Sequence, residues 1–220
     1  MKRIILFIFI TTMVFSACNK DETDTDPSPQ ESVLDYFPLN TGNYWVYERS
    51  FCDSTWTQCE AKSTDTTFVT KDTLINNIIY YKVEGVNSLG QSVKSFYRDS
   101  LNYVVNSNGT ILFSSSDFES KMHEQYVIID EDDTIFYWYY KMQEELFAIH
   151  VPAGSFDCLD NKMSFFRKID DFEKEFNTHQ LYAKNIGPIF NQAMFASSGS
   201  GYKSELVDYK IIPKSSSIIP

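Results

Sequence analysis

The sequence predicts a mainly β fold: a single domain of antiparallel strands forming a curved sheet, an open barrel or a sandwich, with at most one or two short helices. Aromatic residues make up 16 % of the 220 residues, and aromatic and β-branched side chains favour strands. Short strand-like runs are separated by turn residues along most of the chain. No long amphipathic helix alternates with these runs, which argues against a parallel α/β sheet.

The first residues have the organisation of an export signal. Lys2 and Arg3 precede an apolar run over residues 4–15, which has the length of a secretory signal and is too short to span a membrane. Small residues then stand directly before Cys18. This front end resembles the lipobox of bacterial lipoproteins, which implies a signal peptide over 1–17 and lipidation of Cys18. A plain signal peptide and an uncleaved anchor helix are the alternatives.

A polar segment follows Cys18 and sharpens the expected location. We expect residues 18–35 to be the lipidated cysteine with a flexible acidic tether, because residues 21–30 offer almost nothing to bury. Lys20, Asp21 and Glu22 resemble the lysine-plus-acid export signal of Bacteroidota surface lipoproteins. The resemblance implies an outer-membrane, lipid-anchored protein on the cell surface, with the periplasmic face as the alternative.

The remaining residues, 36–220, are predicted to form the β-rich domain. Without Lys2 and Arg3 the formal net charge becomes −13, which argues against nucleic acid and against adsorption to anionic headgroups. We therefore expect the membrane as a partner through the lipid anchor, and a protein, glycan or lipid as a further partner. No cofactor is expected.

The strands are predicted in order from alternation and from turn chemistry. The first, Tyr44–Phe51, places Trp45 and Tyr47 on one face. Asn108-Gly109 lies between two apolar triplets and is the strongest hairpin signal in the chain. Further strands are predicted at 64–74, 78–86, 92–98, 101–105, 126–129, 134–142, 146–151, 155–167, 178–184, 188–190 and 204–212, with turns at 76–77 and 87–90.

One helix and one acidic turn interrupt this pattern. Ser116 and Glu119 fit a capping box, so a short helix is predicted over Asp117–Gln125. Residues 130–133 are four consecutive acids, which we interpret as a solvated hairpin tip. Calcium would find oxygen ligands there, but the spacing and the glycine of an EF-hand are absent from the sequence.

The cysteines divide into three groups. Cys18 carries the expected lipid, and Cys52 and Cys59 flank a polar excursion between two strands. An oxidising compartment permits disulfides, so we predict a Cys52–Cys59 bridge contributing about 2–3 kcal/mol. Cys158 is then a small buried hydrophobic residue.

No catalytic residue or metal ligand is predicted, and we do not expect an enzyme. His123, His150 and His179 lie in three separate segments without a metal-binding spacing. The glycines around Ser198 and Ser200 belong to a polar loop and do not form a nucleophile elbow. Carboxylates are numerous enough that a glycosidase pair remains open.

The aromatic run Phe136-Tyr137-Trp138-Tyr139-Tyr140 is the most informative segment after the signal. A strand sends Tyr137 and Tyr139 to one face and the other three rings to the opposite face. Either both faces are covered, or Tyr137 and Tyr139 form an exposed binding platform for sugar rings or an apolar partner.

Five tripeptides resemble the motif that Bacteroidota O-glycosylate on exported proteins. Each has Asp before Ser or Thr, although the same pair is common where a turn feeds a strand. The resemblance implies candidate acceptors at Ser54, Thr66, Thr73, Ser100 and Thr134.

Three motifs resemble a loose group of uncharacterised Bacteroidota lipoproteins and exported β proteins. The opening is of the Pro-Leu-x-x-Gly-x-x-Trp-x-Tyr type, and the later motifs are Val151–Phe156 and Tyr182–Gly187. The resemblance implies a curved antiparallel sheet like the open barrels of lipoprotein carriers, and it transfers no catalytic residue. We expect a surface or outer-membrane lipoprotein of unknown activity, a non-enzymatic binding or structural module. The alternative is a carrier of an apolar ligand, or a hydrolase, that acts in a half-barrel cavity.

Overall fold

The computed structural model describes residues 31–87, 89–130, 133–169 and 172–213. The predicted signal peptide, the lipidation site Cys18 and the export signal Lys20-Asp21-Glu22 lie outside the described residues. So do Glu131 and Asp132 of the predicted acidic turn.

The described chain is almost entirely β-strand. One helix of a single turn precedes thirteen strands. In chain order the elements are α1 (Val33–Tyr36), β1 (Tyr44–Cys52), β2 (Cys59–Ile75), β3 (Ile78–Val86), β4 (Ser92–Ser100), β5 (Tyr103–Asn106), β6 (Ile111–Ser114), β7 (Met122–Asp130), β8 (Asp133–Val151), β9 (Gly154–Ile169), β10 (Phe172–Thr178), β11 (Gln180–Ala183), β12 (Gly187–Met194) and β13 (Gly201–Lys210).

All the strands belong to one sheet, with the order β6-β5-β4-β3-β2-β1-β13-β12-β11-β9-β8-β7. Every strand pairing in it is antiparallel. Strand β10 also pairs with β9, so β9 has two successive partners on one side, β10 and β11, separated by His179. Because β1 pairs with β13, the two ends of the domain meet in the middle of the sheet.

The sheet curls into a nearly closed barrel. Strands β6 and β9 are far apart in the strand order, yet Asn161 Nδ2 of β9 donates to Leu112 O of β6 at 2.9 Å. The rings of Phe113 in β6 and Tyr182 in β11 have centroids 4.5 Å apart. The predicted fold class, mainly β with antiparallel strands, is therefore confirmed, and of the three predicted arrangements (curved sheet, open barrel or sandwich) the structure has the curved, barrel-like sheet.

Two apolar clusters form the core. One contains Trp45, which is 2 % exposed and donates through Nε1 to Ile186 O at 2.7 Å. Tyr47 donates to Pro188 O at 2.9 Å, so the two side chains share a face as predicted. The second cluster joins the N-terminal helix to the barrel, and its buried members are Val33, Tyr36, Val104, Phe113, Met122, Met142, Leu159 and Tyr182.

The domain begins earlier than the expected boundary at residue 36. Ser32 caps α1 in a capping box with Asp35, and Val33 is only 1 % exposed. Glu31 pairs with Lys184 Nζ at 2.5 Å and accepts from the Tyr36 hydroxyl at 2.7 Å. Residues 31–35, which were predicted as part of the tether, therefore pack onto the barrel, because the apolar Val33 and Tyr36 give this segment a surface to bury.

The hairpin turns follow from local chemistry. Asn76 and Asn77 both have positive φ, 52° and 62°, as a two-residue type I′ turn requires. Gly109 has φ 82° in the turn between β5 and β6. The turns predicted at these positions are confirmed.

The helix predicted over Asp117–Gln125 is wrong. The carboxylate of Asp117 accepts from Glu119 N at 3.2 Å, from Ser120 N at 3.0 Å and from the Tyr103 hydroxyl at 2.8 Å. These hydrogen bonds close a local turn, and β7 begins at Met122. Asp117 thus satisfies backbone donors in the turn instead of helping to start a helix.

Strand boundaries differ from prediction where bulges occur. The two strands predicted at 134–142 and 146–151 are one continuous β8, whose register against β9 shifts between Gln143 and Phe147. The strand predicted at 178–184 is divided at His179 into the end of β10 and the start of β11. A bulge or a change of pairing partner lets the chain continue as a strand. It shifts the alternation of inward and outward side chains, on which the sequence patterns depend.

The expected disulfide is present. Cys52 and Cys59 are directly opposed in the β1–β2 ladder, with Cα atoms 4.1 Å apart. Cys158 is fully buried as predicted, and burial raises the pKa of its thiol to about 12. Among the described residues, no helix is long and apolar enough to cross a membrane.

Candidate functional site

The inside of the barrel holds a cavity of about 540 Å³. Its wall is built by eleven of the strands, by Asn87 directly after β3, and by Phe37, which follows α1. The lining residues are Phe37, Tyr47, Thr67, Val83, Gly85, Val86, Asn87, Val93, Ser95, Tyr97, Ile111, Leu112, His123, Tyr140, Asn161, Gln180, Tyr182, Pro188, Phe190, Asn191 and Ser204. A concave, mostly apolar space of this volume is typical of a site for a drug-sized molecule.

Aromatic rings form the floor of the cavity beside α1. The Phe37 ring stacks on Tyr182 with centroids 5.8 Å apart, and meets Tyr97 edge-on at 5.6 Å. Tyr182 in turn contacts Phe113. Because Phe37 comes directly after α1, the packing of the N-terminal helix fixes the position of this floor.

Burial disfavours the ionised form of three tyrosines in the cavity wall, Tyr47, Tyr140 and Tyr182. Burial raises the pKa of the Tyr47 and Tyr182 hydroxyls well above the ordinary value. Burial likewise raises the pKa of Tyr140. These groups contribute ring faces and hydroxyl dipoles at physiological pH, and no negative charge.

Polar side chains in the lining are amides, hydroxyls and one imidazole. His123 lies where the β7 register shifts, at φ 50°, with its ring 6.2 Å from the Tyr140 ring. A non-glycine residue at positive φ stores backbone strain, and such strain is often found at functional sites. The described lining includes no Asp, Glu, Lys or Arg.

A smaller pocket of about 340 Å³ lies beside the bulge in β8. Its lining residues are Gln143, Glu144, Glu145, Leu146, Phe147, Asp160, Lys162 and His179. The buried Asp160 accepts through Oδ2 from His179 Nδ1 at 2.7 Å, which holds the imidazole in place across the break between β10 and β11. The described lining holds no Ser, Thr or Cys that this pair could activate as a nucleophile.

The predicted platform residues Tyr137 and Tyr139 are half-buried, as are the other three rings of the run. The Tyr137 ring stacks on Phe166 with centroids 4.3 Å apart and a 4° interplanar angle, and on Tyr126 at 5.7 Å. Lys121 Nζ lies 4.2 Å from the centre of the Tyr139 ring. Tyr137 and Tyr139 alternate along β8 with the cavity-lining Tyr140, so they face away from the cavity. We therefore use the name outer aromatic surface for the group Lys121, Tyr126, Tyr137, Tyr139 and Phe166.

The other sequence-predicted sites lie apart from the cavity. Ser54 is exposed in the turn closed by the disulfide, whereas Thr66, Thr73 and Ser100 are half-buried in or at the end of strands. Thr134 lies in β8, and its side chain is outside the described residues. Of the three histidines, only His123 lines the cavity, and His150 hydrogen-bonds Ser155 on the β8–β9 hairpin.

No protein-family model matches the sequence, and no curated protein matches it. Two solved structures are similar to the chain: a protein of Bacteroides fragilis assigned as exported, with a YmcC-like fold, and a protein of Parabacteroides distasonis assigned as a lipoprotein. The first is 12 % identical over 80 % of this chain and 99 % of its own, with a TM-score of 0.44. The second is 13 % identical over 80 % of this chain and 98 % of its own, with a TM-score of 0.42.

Proposed function

We propose that this chain is a lipid-anchored carrier or binding protein that holds an uncharged, largely apolar small molecule inside its barrel. The observation that carries the proposal is the cavity of about 540 Å³, whose described lining combines aromatic and aliphatic side chains with polar ones and includes no Asp, Glu, Lys or Arg. An ionised ligand group would lose its hydration there without gaining a partner of opposite charge, which is costly. A neutral ligand avoids that cost and gains the burial of its apolar surface.

The same lining favours binding over hydrolysis. A glycosidase needs two carboxyl groups facing one bond, and an acyl hydrolase needs a nucleophile with an adjacent base. Asp160 and His179 are hydrogen-bonded to each other but face the smaller pocket, whereas the neighbouring Asn161 faces the cavity. The cavity wall thus presents groups that hold a ligand, not groups that cleave one.

The carrier would be tethered through Cys18. If the predicted tether of residues 19–30 is a flexible chain, its root-mean-square reach is roughly 20 Å, and the barrel would stay close to the membrane. Glu31, the first described residue, is held by Lys184 and by the Ser115 hydroxyl. The floor of the cavity is built on the segment that begins at this residue.

Export to the cell surface through Lys20, Asp21 and Glu22 is part of the proposal, with the periplasmic face as the alternative. Replacing the triplet by alanine and treating intact cells with protease tests it. We expect the wild type to be digested and the variant to be protected. Equal digestion of both proteins would refute a role for the triplet.

The outer aromatic surface supports a second function, contact with a glycan or protein partner. Tyr126 is 55 % exposed and continues the stack of Tyr137 and Phe166, so one end of an aromatic row is open to solvent. Replacing Tyr137 and Tyr139 by serine should remove this contact without affecting ligand binding in the cavity. Loss of folding in that variant would assign both rings to the core instead.

We also propose O-glycosylation, with Ser54 as the best-placed acceptor because its side chain is exposed in a turn. The intact mass of protein from its native host tests this directly. A mass equal to that of the lipidated chain alone would remove the proposal.

A cavity-filling substitution tests the main proposal. Ser95 lines the cavity from β4, whereas Ser92 on the same strand faces a groove on the other side with Thr66 and Phe68. We expect Ser95→Trp to weaken binding of the uncharged dye Nile red at least tenfold, because the indole occupies the space of the ligand. Ser92→Trp is the matched control and should bind the dye like the wild type. Wild-type affinity in a folded Ser95→Trp protein would show that the dye binds elsewhere.

A further inference from the structure

A row of uncharged polar side chains crosses the inner wall of the barrel. Gln180 of β11 is paired in register with Asn191 of β12, which is paired with Ser204 of β13. On the other side of β11, the pairing with β9 aligns Leu181 with Asp160. Gln180, one residue before Leu181, is therefore level with Asn161, one residue after Asp160, and Asn161 continues the row. All four side chains line the cavity, and we call them the amide row.

The orientation of the Asn161 amide is fixed. Its Nδ2 donates to the carbonyl of Leu112 at 2.9 Å, and exchanging the amide nitrogen and oxygen would bring two acceptors together. Its Oδ1 is therefore an acceptor, and it has no hydrogen-bond partner in the described part of the chain. The residue is only 2 % exposed, and a buried acceptor without a partner is unfavourable.

The rest of the amide row also has unused hydrogen-bonding capacity. Gln180 accepts from the Tyr182 hydroxyl at a long 3.4 Å, and its amide donates to no described residue. The side chains of Asn191 and Ser204 form no hydrogen bond with any residue that the structure describes. The row therefore offers donors and acceptors side by side, next to the apolar side chains that also line the cavity.

The charged residue in register with the amide row is Arg49, and its charge is balanced by Asp65. Arg49 of β1 is the partner of Ser204, and its Nε lies 3.2 Å from Asp65 Oδ2. Its Nη2 donates to the Ser63 hydroxyl at 2.9 Å, and its guanidinium lies over the Tyr202 ring. The guanidinium is thus engaged on β2 and β13 and is not among the groups that line the cavity.

We infer that the ligand carries an uncharged head group with both donors and acceptors, such as a primary amide or a hydroxyl, on an apolar body. This inference rests on the proposed function and names the class of ligand. The head group contacts the amide row at Gln180, Asn191 and Ser204, while Val83, Val93 and Ile111 contact the apolar body. A carboxylate or phosphate would meet amides and hydroxyls without a Lys or Arg, and an ammonium group would meet no carboxylate.

A series of ligands with one alkyl chain and four head groups tests the inference. The mature chain carrying Cys18→Ser has no acyl group of its own to enter the cavity, and residues 31–220 form one compact unit with their own core. Nile red would be displaced by the decyl amide, alcohol, carboxylate and ammonium compounds. We expect the amide and the alcohol to bind at least tenfold more tightly than the two charged compounds.

Variants of the amide row decide whether these residues cause the preference. Gln180→Leu and Asn191→Leu should each reduce the advantage of the amide over the carboxylate at least fivefold, while Nile red still binds. Gln125→Leu removes an exposed amide outside the cavity and should leave the preference unchanged.

The outcomes separate the head-group inference from the proposed function. Displacement by all four compounds with similar affinity, or by the carboxylate most tightly, would overturn the inference and leave cavity binding intact. A preference that survives in both leucine variants would also overturn it. If Nile red does not bind and no compound in the series does, the proposed function itself is wrong.

Discussion

Removing the Phe37 ring tests whether the N-terminal segment is an integral part of the cavity. A fully buried Phe→Ala change costs about 3–5 kcal/mol, and Phe37 is half-buried. The change also removes two aromatic pairs, with Tyr182 and Tyr97, each worth about 0.5–1.5 kcal/mol. We therefore expect Phe37→Ala to lower the free energy of unfolding by about 2–4 kcal/mol.

Urea unfolding followed by tyrosine and tryptophan fluorescence measures this loss. Phe68→Ala is the matched control, because Phe68 is 45 % exposed and contacts a single ring, Tyr44. It should cost about 1 kcal/mol. Phe37→Ala should also enlarge the floor of the cavity, and ligands with longer chains should bind relatively better. A loss below about 1 kcal/mol with an unchanged chain-length preference would contradict the packing of this segment against the barrel.

Three other variants have defined outcomes. Cys52→Ser with Cys59→Ser should lower the free energy of unfolding by about 2–3 kcal/mol, seen as a lower urea midpoint, and an unchanged midpoint would show that the bridge adds nothing. Hydrogen bonds to the Asp117 carboxyl, of which the one from Ser120 N has the largest effect, lower its pKa to about 2. The stabilisation that this carboxylate provides is therefore present above the unfolded pKa of about 4 and is lost as the pH falls towards 2. Asp117→Asn should therefore flatten the stability profile between those pH values, and a profile as steep as that of the wild type would contradict this. Leu101 is 90 % exposed at φ 57°, so Leu101→Asn should raise the thermal midpoint by relieving about 1 kcal/mol of strain, and a lower midpoint would refute the strain.

Local signals in the sequence predicted much of the fold. Asn108-Gly109 and Asn76-Asn77 specify their turns because the required backbone angles depend on those residues alone. The alternation around Trp45 and Tyr47 placed both side chains on the inner face. The disulfide followed from two cysteines that flank one short excursion, which is also a local relationship.

The errors arose where tertiary contacts decided the outcome. The Ser116–Glu119 pattern resembles a helix start, but the Tyr103 hydroxyl and local backbone donors take up the Asp117 carboxylate. The bulge in β8 disrupts the alternation of the sequence without ending the strand. Val33 looked like part of a tether, because nothing near it in the sequence shows the surface on which it packs.

The sequence indicated a cavity only as part of the alternative function, a carrier or hydrolase acting in a half-barrel. Its floor combines Phe37 with Tyr97 and Tyr182, which are distant in sequence. The amide row combines residues from four strands, and its in-register alignment depends on pairings that no sequence spacing encodes. The aromatic run at 136–140 was conspicuous in the sequence because its residues are consecutive, yet it contributes a single ring, Tyr140, to the cavity.

A crystal structure of the protein with the decyl amide tests the central claim most directly. Ligand binding inside the barrel predicts electron density for the alkyl chain between Tyr182 and Val93, with the head group directed towards the amide row. Ser92→Trp crystals should show the same density, and Ser95→Trp crystals should not. Density on the outer aromatic surface around Tyr137, with none inside the barrel, would contradict the claim that the cavity is the binding site.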